Sequence, residues 1–139
     1  MKYTKLYQFG KFAAVGFLNT AIDFGILNFL IYITGAASGF SFVLFKAASF
    51  AIANINSYIW NRYWVFSSER KEIGKEYLQF LAISLVSVAI NVGSSSLVVN
   101  IIGAEFGLSP ALWANVGAAT GSAASLLWNF IGYKFIVFK

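Results

Sequence analysis

The chain of 139 residues contains no cysteine, no histidine and only five carboxylates. Without cysteine there are no disulfides and no thiolate metal sites, and without histidine the commonest metal ligand and general base are missing. The five carboxylates leave little for acid–base chemistry. We therefore expect a protein that is not an enzyme, with no catalytic residue, no metal site and no cofactor.

Charged residues are also scarce, at 11% of the chain, whereas 59% of the residues are hydrophobic and the mean hydropathy is +0.73. A soluble domain is about a quarter charged, and one this small could not bury so much apolar surface. The single proline and the 19% aromatic content argue against a disordered chain. The composition predicts an integral membrane protein.

Four apolar stretches are long enough for a membrane-spanning helix, which needs about 20 residues. Between the second and third stretches lies a strongly charged segment, residues 62–76. The sequence predicts an all-α fold: a single membrane domain, residues 1–139, that is a bundle of four transmembrane helices. The predicted helices are 12–33, 41–60, 77–102 and 110–131.

The lysines and arginines outside these helices lie on one side of the predicted membrane. They precede the first helix, fill the middle segment and follow the fourth helix, whereas the other two loops carry none. By the positive-inside rule, both termini and segment 62–76 are cytoplasmic. Three aromatic residues at this inner boundary, Trp60, Tyr63 and Trp64, are predicted to form an interfacial belt.

Two short segments recur along the chain. Ala21–Gly25 resembles Ala89–Gly93, and Arg62–Phe66 resembles Lys134–Phe138. Each half is then one helical hairpin that begins and ends in the cytoplasm, so the repeat is parallel. In transporters built from such repeats, the binding site lies between the halves.

Asp23 and Lys46 are charged residues inside the predicted helices. A charge at the membrane centre costs about 2.5–3.5 kcal/mol on insertion scales, so it needs a partner or a function. Asp23 lies about 18 Å along the first helix from Lys11, near the membrane midplane. Two interpretations of Lys46 stay open: it pairs with Asp23, or its side chain extends to the outer surface.

Each predicted helix carries a polar stripe at helical spacing, which turns inward in lipid. The serines are typical of close helix packing, whereas the amides and Asp23 are candidates for lining a groove between the halves. The groove candidates are Asn19, Asp23, Asn56, Asn61, Asn91 and Asn129.

Three cations, Lys11, Arg62 and Lys134, cluster at the inner boundary. They either anchor the topology or bind phosphate, for which the planar fork of arginine and the point charge of lysine are suited. Aromatic and amide residues flank Arg62 and Lys134. Such a frame suits a headgroup that contains both a sugar and a phosphate.

Three motifs follow one another along the chain. They are Phe12-x-x-Val15-Gly16-x-x-Asn19-Thr20-x-x-Asp23, then Asn61-Arg62-Tyr63-Trp64-Val65-Phe66, then Asn129-Phe130 through Lys134 to Val137-Phe138. In these motifs the chain resembles the GtrA family of small membrane proteins. The resemblance implies four transmembrane helices with cytoplasmic termini, and transport, or assistance in transport, of polyprenyl-phosphate-linked sugars across the bacterial inner membrane for cell-surface glycan decoration. One departure is Ser57-Tyr58, where the family usually has Asn-Phe.

The leading hypothesis is a flippase that moves a polyprenyl-phosphate-linked monosaccharide from the cytoplasmic to the outer leaflet of the bacterial inner membrane. The lipid phosphate would bind Arg62, Lys134 and Lys11, Lys46 would receive it on the outer side, and the sugar would enter the groove. Membrane lipids and membrane glycosyltransferases are the expected partners, and nucleic acid is not. We also expect an oligomer, since a thin four-helix bundle encloses a polar groove more easily with a second subunit.

Two alternatives remain open. The chain is a scaffold that does not transport and recruits a membrane glycosyltransferase through segment 62–76, or it is a proton-coupled exporter of small cations that uses Asp23. A permanent pair between Asp23 and Lys46 would count against the exporter.

Overall fold

The computed structural model describes residues 2–65, 73–132 and 136, which form an all-helical bundle. The prediction of an all-α fold of four helices is confirmed. The second and third helices are each prolonged by a π-helical segment, Asn61–Val65 and Leu97–Ile102. The four helices are α1 (Lys2–Thr34), α2 (Gly39–Trp60), α3 (Ile73–Ser96) and α4 (Pro110–Gly132).

The helices are longer at one end of the bundle than the apolar stretches alone indicate. Helix α1 begins at Lys2 rather than near residue 12, and α3 begins at Ile73 rather than near residue 77. The first residues of the predicted charged segment belong to the π-helical segment that ends at Val65, and its last residues belong to α3, which begins at Ile73. Arg70 and Lys71 of the predicted charged segment, and the predicted phosphate-binding Lys134, lie outside the described residues.

Three of the four helical regions are apolar enough to span a membrane: Leu6–Thr34, Gly39–Val65 and Gly74–Ile102. Helix α4 has a sufficient length of 23 residues but is less apolar, because its inward side is built from small and hydroxyl residues. Its outward side carries exposed Leu112, Leu126 and Leu127. Helix α4 therefore presents an apolar surface to lipid despite its lower hydropathy.

Large apolar side chains point outward and many polar side chains point inward. Phe17 and Leu85 are exposed, whereas Asp23, Lys46 and Asn91 are buried. In water this arrangement would expose apolar area and desolvate charge. In a bilayer it is the expected one, because lipid replaces water around the helices.

The two sequential hairpins, α1 with α2 and α3 with α4, are the most extensively packed pairs, and α1 touches α4 much less. Helices α3 and α4 approach closely through Gly117 and Gly121, four residues apart on one face. A Cβ atom at Gly117 would lie 3.0 Å from the carbonyl oxygen of Ser95, and one at Gly121 would overlap the Ser95 side chain. Glycines at this spacing let membrane helices pack backbone to backbone.

The two ends of the bundle differ. The cationic end, where α1 and α3 begin and α2 and α4 end, carries Lys11, Arg62 and Lys75. The opposite end holds the main apolar cluster, which includes Leu27, Phe42 and Trp113. The apolar packing closes this opposite end of the bundle.

A pair of hydrogen bonds also joins α2 to the end of α3 there. The side chain of Asn100 accepts a hydrogen bond from the backbone N–H of Gly39 (2.6 Å) and donates one to its carbonyl (3.3 Å). Gly39 has a φ of +70°, a conformation that glycine adopts without strain. The short turn between α1 and α2 is thereby held against α3.

Candidate functional site

A polar cleft lies between α1 and α4, with α2 as its back wall. Its volume is about 90 Å³, and it occupies the half of the bundle toward the cationic end. It forms where α1 and α4 make few contacts. The lining residues are Phe12, Gly16, Asn19, Thr20, Asp23, Phe50, Ala53, Asn54, Ser57, Asn61, Ser122, Ser125, Leu126 and Asn129.

The chemistry of this lining is that of amides, hydroxyls and one carboxylate. Four asparagines and four serine or threonine residues face the cleft together with Asp23. Amides and hydroxyls donate and accept hydrogen bonds, and a carboxylate accepts them. Among the described residues, no lysine or arginine lines the cleft, so its chemistry suits a neutral hydroxyl-rich group better than an anion.

The cleft ends near the middle of the bundle at the buried ion pair of Asp23 and Lys46. The Lys46 ammonium donates to Oδ2 of Asp23, and the hydroxyl of Ser49 donates to Oδ1 at 2.6 Å. Lys46 lies behind Asp23 with no exposed surface, and its Nζ is 5.7 Å from the Phe24 ring centroid. Of the two interpretations of Lys46, the structure has the pair, and the extension to the outer surface is wrong for this conformation.

Beyond the ion pair, two amides connect α1 to α4. The side chain of Asn28 donates to Asn115 at 2.8 Å, and that of Asn115 donates back to Asn28 at 2.7 Å. We call this reciprocal pair the amide clamp. Together with the apolar cluster, it closes the α1–α4 interface on the side of Asp23 away from the cationic end.

A hydrogen-bonded chain runs beside the cleft. The indole of Trp60 donates to the amide oxygen of Asn56 (3.1 Å), and Asn56 donates to that of Asn19 (2.9 Å). Of these three residues only Asn19 lines the cleft, whereas Ser57 occupies the lining position on α2. Asn56 therefore orients Asn19 rather than facing the cleft itself.

The three remaining groove candidates differ in depth. Asn61 lines the cleft and donates to Ser57 at 3.0 Å, while its buried Oδ1 has no hydrogen-bond partner. Asn91, on α3, is fully buried and donates to Ser125 at 3.1 Å, behind the cleft wall. Asn129 lines the cleft. Four of the six groove candidates (Asn19, Asp23, Asn61 and Asn129) thus meet at one cleft.

The described members of the predicted phosphate-binding set, Lys11, Lys46 and Arg62, lie outside the cleft lining. Arg62 donates to the hydroxyl of Tyr58 at 2.7 Å, and Tyr58 packs against Tyr77 and Phe80 of α3, so Arg62 lies toward α3. Lys11 donates to the carbonyl of Trp64 at 3.2 Å. Lys134 is outside the described residues.

The three predicted belt aromatics gather at the cationic end. Trp60 and Trp64 pack edge to face with ring centroids 5.9 Å apart. Tyr63 is exposed, and the Arg62 guanidinium lies 5.7 Å from its ring centroid. Exposed aromatic rings next to a cation are typical of a membrane–water interface.

Sequence reasoning missed some lining residues and the amide clamp. Asn54 belongs to the same face of α2 as Phe50, Ser57 and Asn61, and this helical spacing could have identified it. Thr20, which follows Asn19 in the sequence, also lines the cleft and is not among the predicted groove residues. The clamp joins residues 87 positions apart, and no local pattern signals it.

Comparison with known proteins identifies the family. The model of the "GtrA/DPMS, transmembrane domain" family matches residues 11–138. The chain belongs to this family. At family level, GtrA/DPMS membrane domains are associated with glycosylation-related translocation of lipid-linked sugars, in a family of translocation and scaffold proteins.

The chain is also 37% identical over 86 residues to the "uncharacterized membrane protein YngA" of Bacillus subtilis. This match covers 62% of the chain and 55% of YngA, so it extends over about half of that relative's length. No solved structure matches the chain. The family membership and the helical architecture together make this a multi-helix membrane protein.

Proposed function

We propose that the chain translocates, or helps to translocate, a polyprenyl-phosphate-linked monosaccharide from the cytoplasmic to the outer leaflet of the bacterial inner membrane. The observation that carries the proposal is the cleft itself. A groove lined by amides, hydroxyls and a carboxylate lies inside a lipid-facing bundle and closes at an ion pair near its middle. The GtrA/DPMS membership supports a lipid-linked sugar as the substrate class.

The dimensions of the cleft suit a headgroup that enters from one leaflet. From Phe12 to Asp23, α1 rises about 16 Å at 1.5 Å per residue. This is about half of the hydrocarbon thickness of about 30 Å. The sugar would therefore travel from the interface to the midplane and stop at Asp23.

The position of the cleft also separates the parts of the substrate. Because it lies between α1 and α4, which make few contacts, the prenyl tail can stay in lipid while the sugar enters sideways. The phosphate stays at the cationic end with Arg62 and Lys134, since no described lining residue is a cation. The Oδ1 atom of Asn61, which has no hydrogen-bond partner, would accept a hydrogen bond from a sugar hydroxyl.

Transport requires the cleft to widen. A volume of about 90 Å³ is below the roughly 300–1,000 Å³ of typical small-molecule sites. Widening of the α1–α4 interface disrupts few contacts, and the amide clamp is its main polar connection among the described residues. We infer that α4 moves away from α1 during the transport cycle. The amide clamp would break when the cleft opens toward the outer leaflet.

The direct test measures transbilayer movement of a short-chain polyprenyl-phosphate monosaccharide in proteoliposomes. Asn54→Ala and Asn129→Ala remove lining amides that make no hydrogen bond to another described side chain, so folding is expected to be preserved. Gln79→Ala, an amide on α3 outside the lining, is the matched control. Slower movement in both lining variants, with the control unchanged, supports the proposal.

Arg62→Ala extends the test to the phosphate. In this variant, we expect the rate of transbilayer movement to depend less on the phosphate group of the substrate. The cleft itself should stay open. Movement no faster than in protein-free liposomes, with folded protein verified, would reject an intrinsic flippase.

The small cleft volume also favours a second candidate, a scaffold that recruits a membrane glycosyltransferase. The scaffold predicts that charge reversal at Arg70, Lys71 and Lys75 abolishes glycan decoration, while Asn54→Ala and Asn129→Ala have no effect. The flippase predicts the opposite pattern. The third hypothesis, a cation exporter that uses Asp23, is disfavoured because Lys46 and Ser49 occupy both carboxylate oxygens.

A further inference from the structure

A second concavity lies on the outside of the bundle at the cationic end. It is a shallow, open groove of about 640 Å³, lined by Leu6, Tyr7, Gly10, Lys11, Ala14 and Trp64. At about 100° per residue, Gly10 and Ala14 lie nearly half a turn around α1 from the cleft residues Phe12 and Gly16. The groove and the cleft are therefore separate surfaces.

Lys11 is held in a fixed position at this groove. Its Nζ donates to the carbonyl of Trp64 at 3.2 Å and lies 4.7 Å and 5.3 Å from the ring centroids of Tyr7 and Trp64. An ammonium has three N–H groups, so two remain available for a ligand. Within the described part of the chain, Lys11 forms no ion pair with a carboxylate.

The depth of the groove matches the membrane–water interface. Lys11 lies about 18 Å along α1 from Asp23, close to the edge of a hydrocarbon core with a half-thickness of about 15 Å. Gly10 has no side chain and that of Ala14 is a single methyl group, and a Cβ atom added at Gly10 would meet nothing within 4 Å. A shallow channel therefore runs along α1 below the Lys11 ammonium.

We propose that this groove binds an anionic phospholipid, such as phosphatidylglycerol, with the headgroup phosphate on Lys11 and an acyl chain along Gly10 and Ala14. Charge complementarity and the apolar channel select this occupant. The groove has no amide to bind a sugar, and its position on the far side of α1 keeps a lipid bound there away from Asn19. The site is independent of the proposed translocation.

The test is native mass spectrometry of the full chain with phosphatidylglycerol or phosphatidylcholine of the same acyl chains. We expect tighter binding of phosphatidylglycerol, and about fivefold or greater weakening in Lys11→Gln, since a lysine near an anionic membrane contributes about 1 kcal/mol. Gly10→Leu keeps the charge, fills the channel and should also weaken binding. Lys75→Gln, at an exposed lysine of the same end, is the matched control and should leave binding unchanged.

Three results would overturn the proposal. Equal weakening by Lys11→Gln and Lys75→Gln would mean diffuse surface attraction. Competition by inorganic phosphate at the same concentration would mean an anion site that does not recognise lipid. Weakening of phosphatidylglycerol binding by Asn129→Ala, together with displacement by a short-chain polyprenyl phosphate, would place the lipid in the cleft instead.

Discussion

Asp23 of α1 and Lys46 of α2 form a fully enclosed ion pair at the inner end of the polar cleft. Asp23 faces the cleft and Lys46 lies behind it, so a molecule in the cleft meets the carboxylate first. The charge of the pair is balanced internally, which is the condition under which two ionised groups are tolerated in lipid. The pair joins the helices of the first hairpin and also terminates the cleft.

Removing one partner of this pair should lower the unfolding free energy much more than replacing both partners. Asp23→Asn leaves Lys46 buried without compensation, and we expect it to cost about 3–5 kcal/mol of unfolding free energy. Asp23→Leu combined with Lys46→Met replaces the pair by apolar volume and should recover most of that loss. Unfolding in mixed detergent micelles measures both.

Glu105→Gln, at an exposed carboxylate in the loop before α4, is the control for loss of a negative charge. A cost for Asp23→Asn as small as that of Glu105→Gln would contradict a structural ion pair. The double variant is also expected to fold without transporting, because the cleft loses its carboxylate.

The amide clamp should show energetic coupling between α1 and α4. Asn28→Ala and Asn115→Ala each break both hydrogen bonds of the clamp, so the double variant should cost less than the sum of the two. The coupling energy is expected near the 0.6 kcal/mol average for membrane-protein hydrogen bonds, with an upper limit of about 1.7 kcal/mol. A double-mutant cycle on unfolding free energy provides the value.

Asn28→Ala paired with Asn100→Ala is the comparison cycle, because Asn100 bonds to Gly39 and not to the clamp. The effects of these two substitutions on the unfolding free energy should be additive. Additivity of Asn28 with Asn115 would mean that the clamp does not hold α4 against α1.

The close approach of α3 and α4 gives a third prediction. Gly121→Ala places a Cβ atom against the Ser95 side chain and the carbonyl oxygen of Asn91, and overpacking of this kind costs about 1–3 kcal/mol. Gly93→Ala, on α3, meets nothing within 4 Å and should be neutral or slightly stabilising. Thermal unfolding of both variants in the same detergent distinguishes them, and equal melting temperatures would refute the packing argument.

The fold and part of the cleft were predictable because a membrane imposes strong rules on sequence. Long apolar stretches predicted the helices, and the cost of a carboxylate in lipid predicted that Asp23 lies inside. Helical periodicity predicted that Asn19 and Asn129 lie in the interior of the bundle. The start of α1 was missed because the lysines before residue 12 interrupt the apolar pattern, although a helix continues through the interface without difficulty.

The remaining details depend on how closely the helices approach one another, which periodicity does not contain. Asn91 corresponds to Asp23 in the predicted repeat, but it lies behind the cleft wall because Gly121 brings α4 close to its backbone. The apolar pattern of α2 does not decide whether Asn56 or Ser57 faces the cleft. That choice follows from the hydrogen bond between Asn56 and Asn19, a contact between distant parts of the chain.

The orientation in the membrane and the one-sided access to the cleft can be tested together, because the chain contains no cysteine and each introduced thiol is unique. Lys75→Cys reports the cationic end, Ala104→Cys the opposite end and Asn129→Cys the cleft. We expect a membrane-impermeant thiol reagent to label the cysteines at 75 and 129 only from the cytoplasmic side, and that at 104 only from outside. The cysteine at 129 should react more slowly, because Asn129 is half-buried.

Phe17→Cys, at a position exposed on the lipid-facing side of α1, is the control and should not be labelled from either side. Labelling of the cysteine at 75 from outside would reverse the predicted topology. If the cysteine at 75 reacts and that at 129 does not, the cleft is closed to water at the cationic end. A headgroup could then enter it only after α4 separates from α1, which would make that separation, rather than the passage beyond Asp23, the first step of translocation.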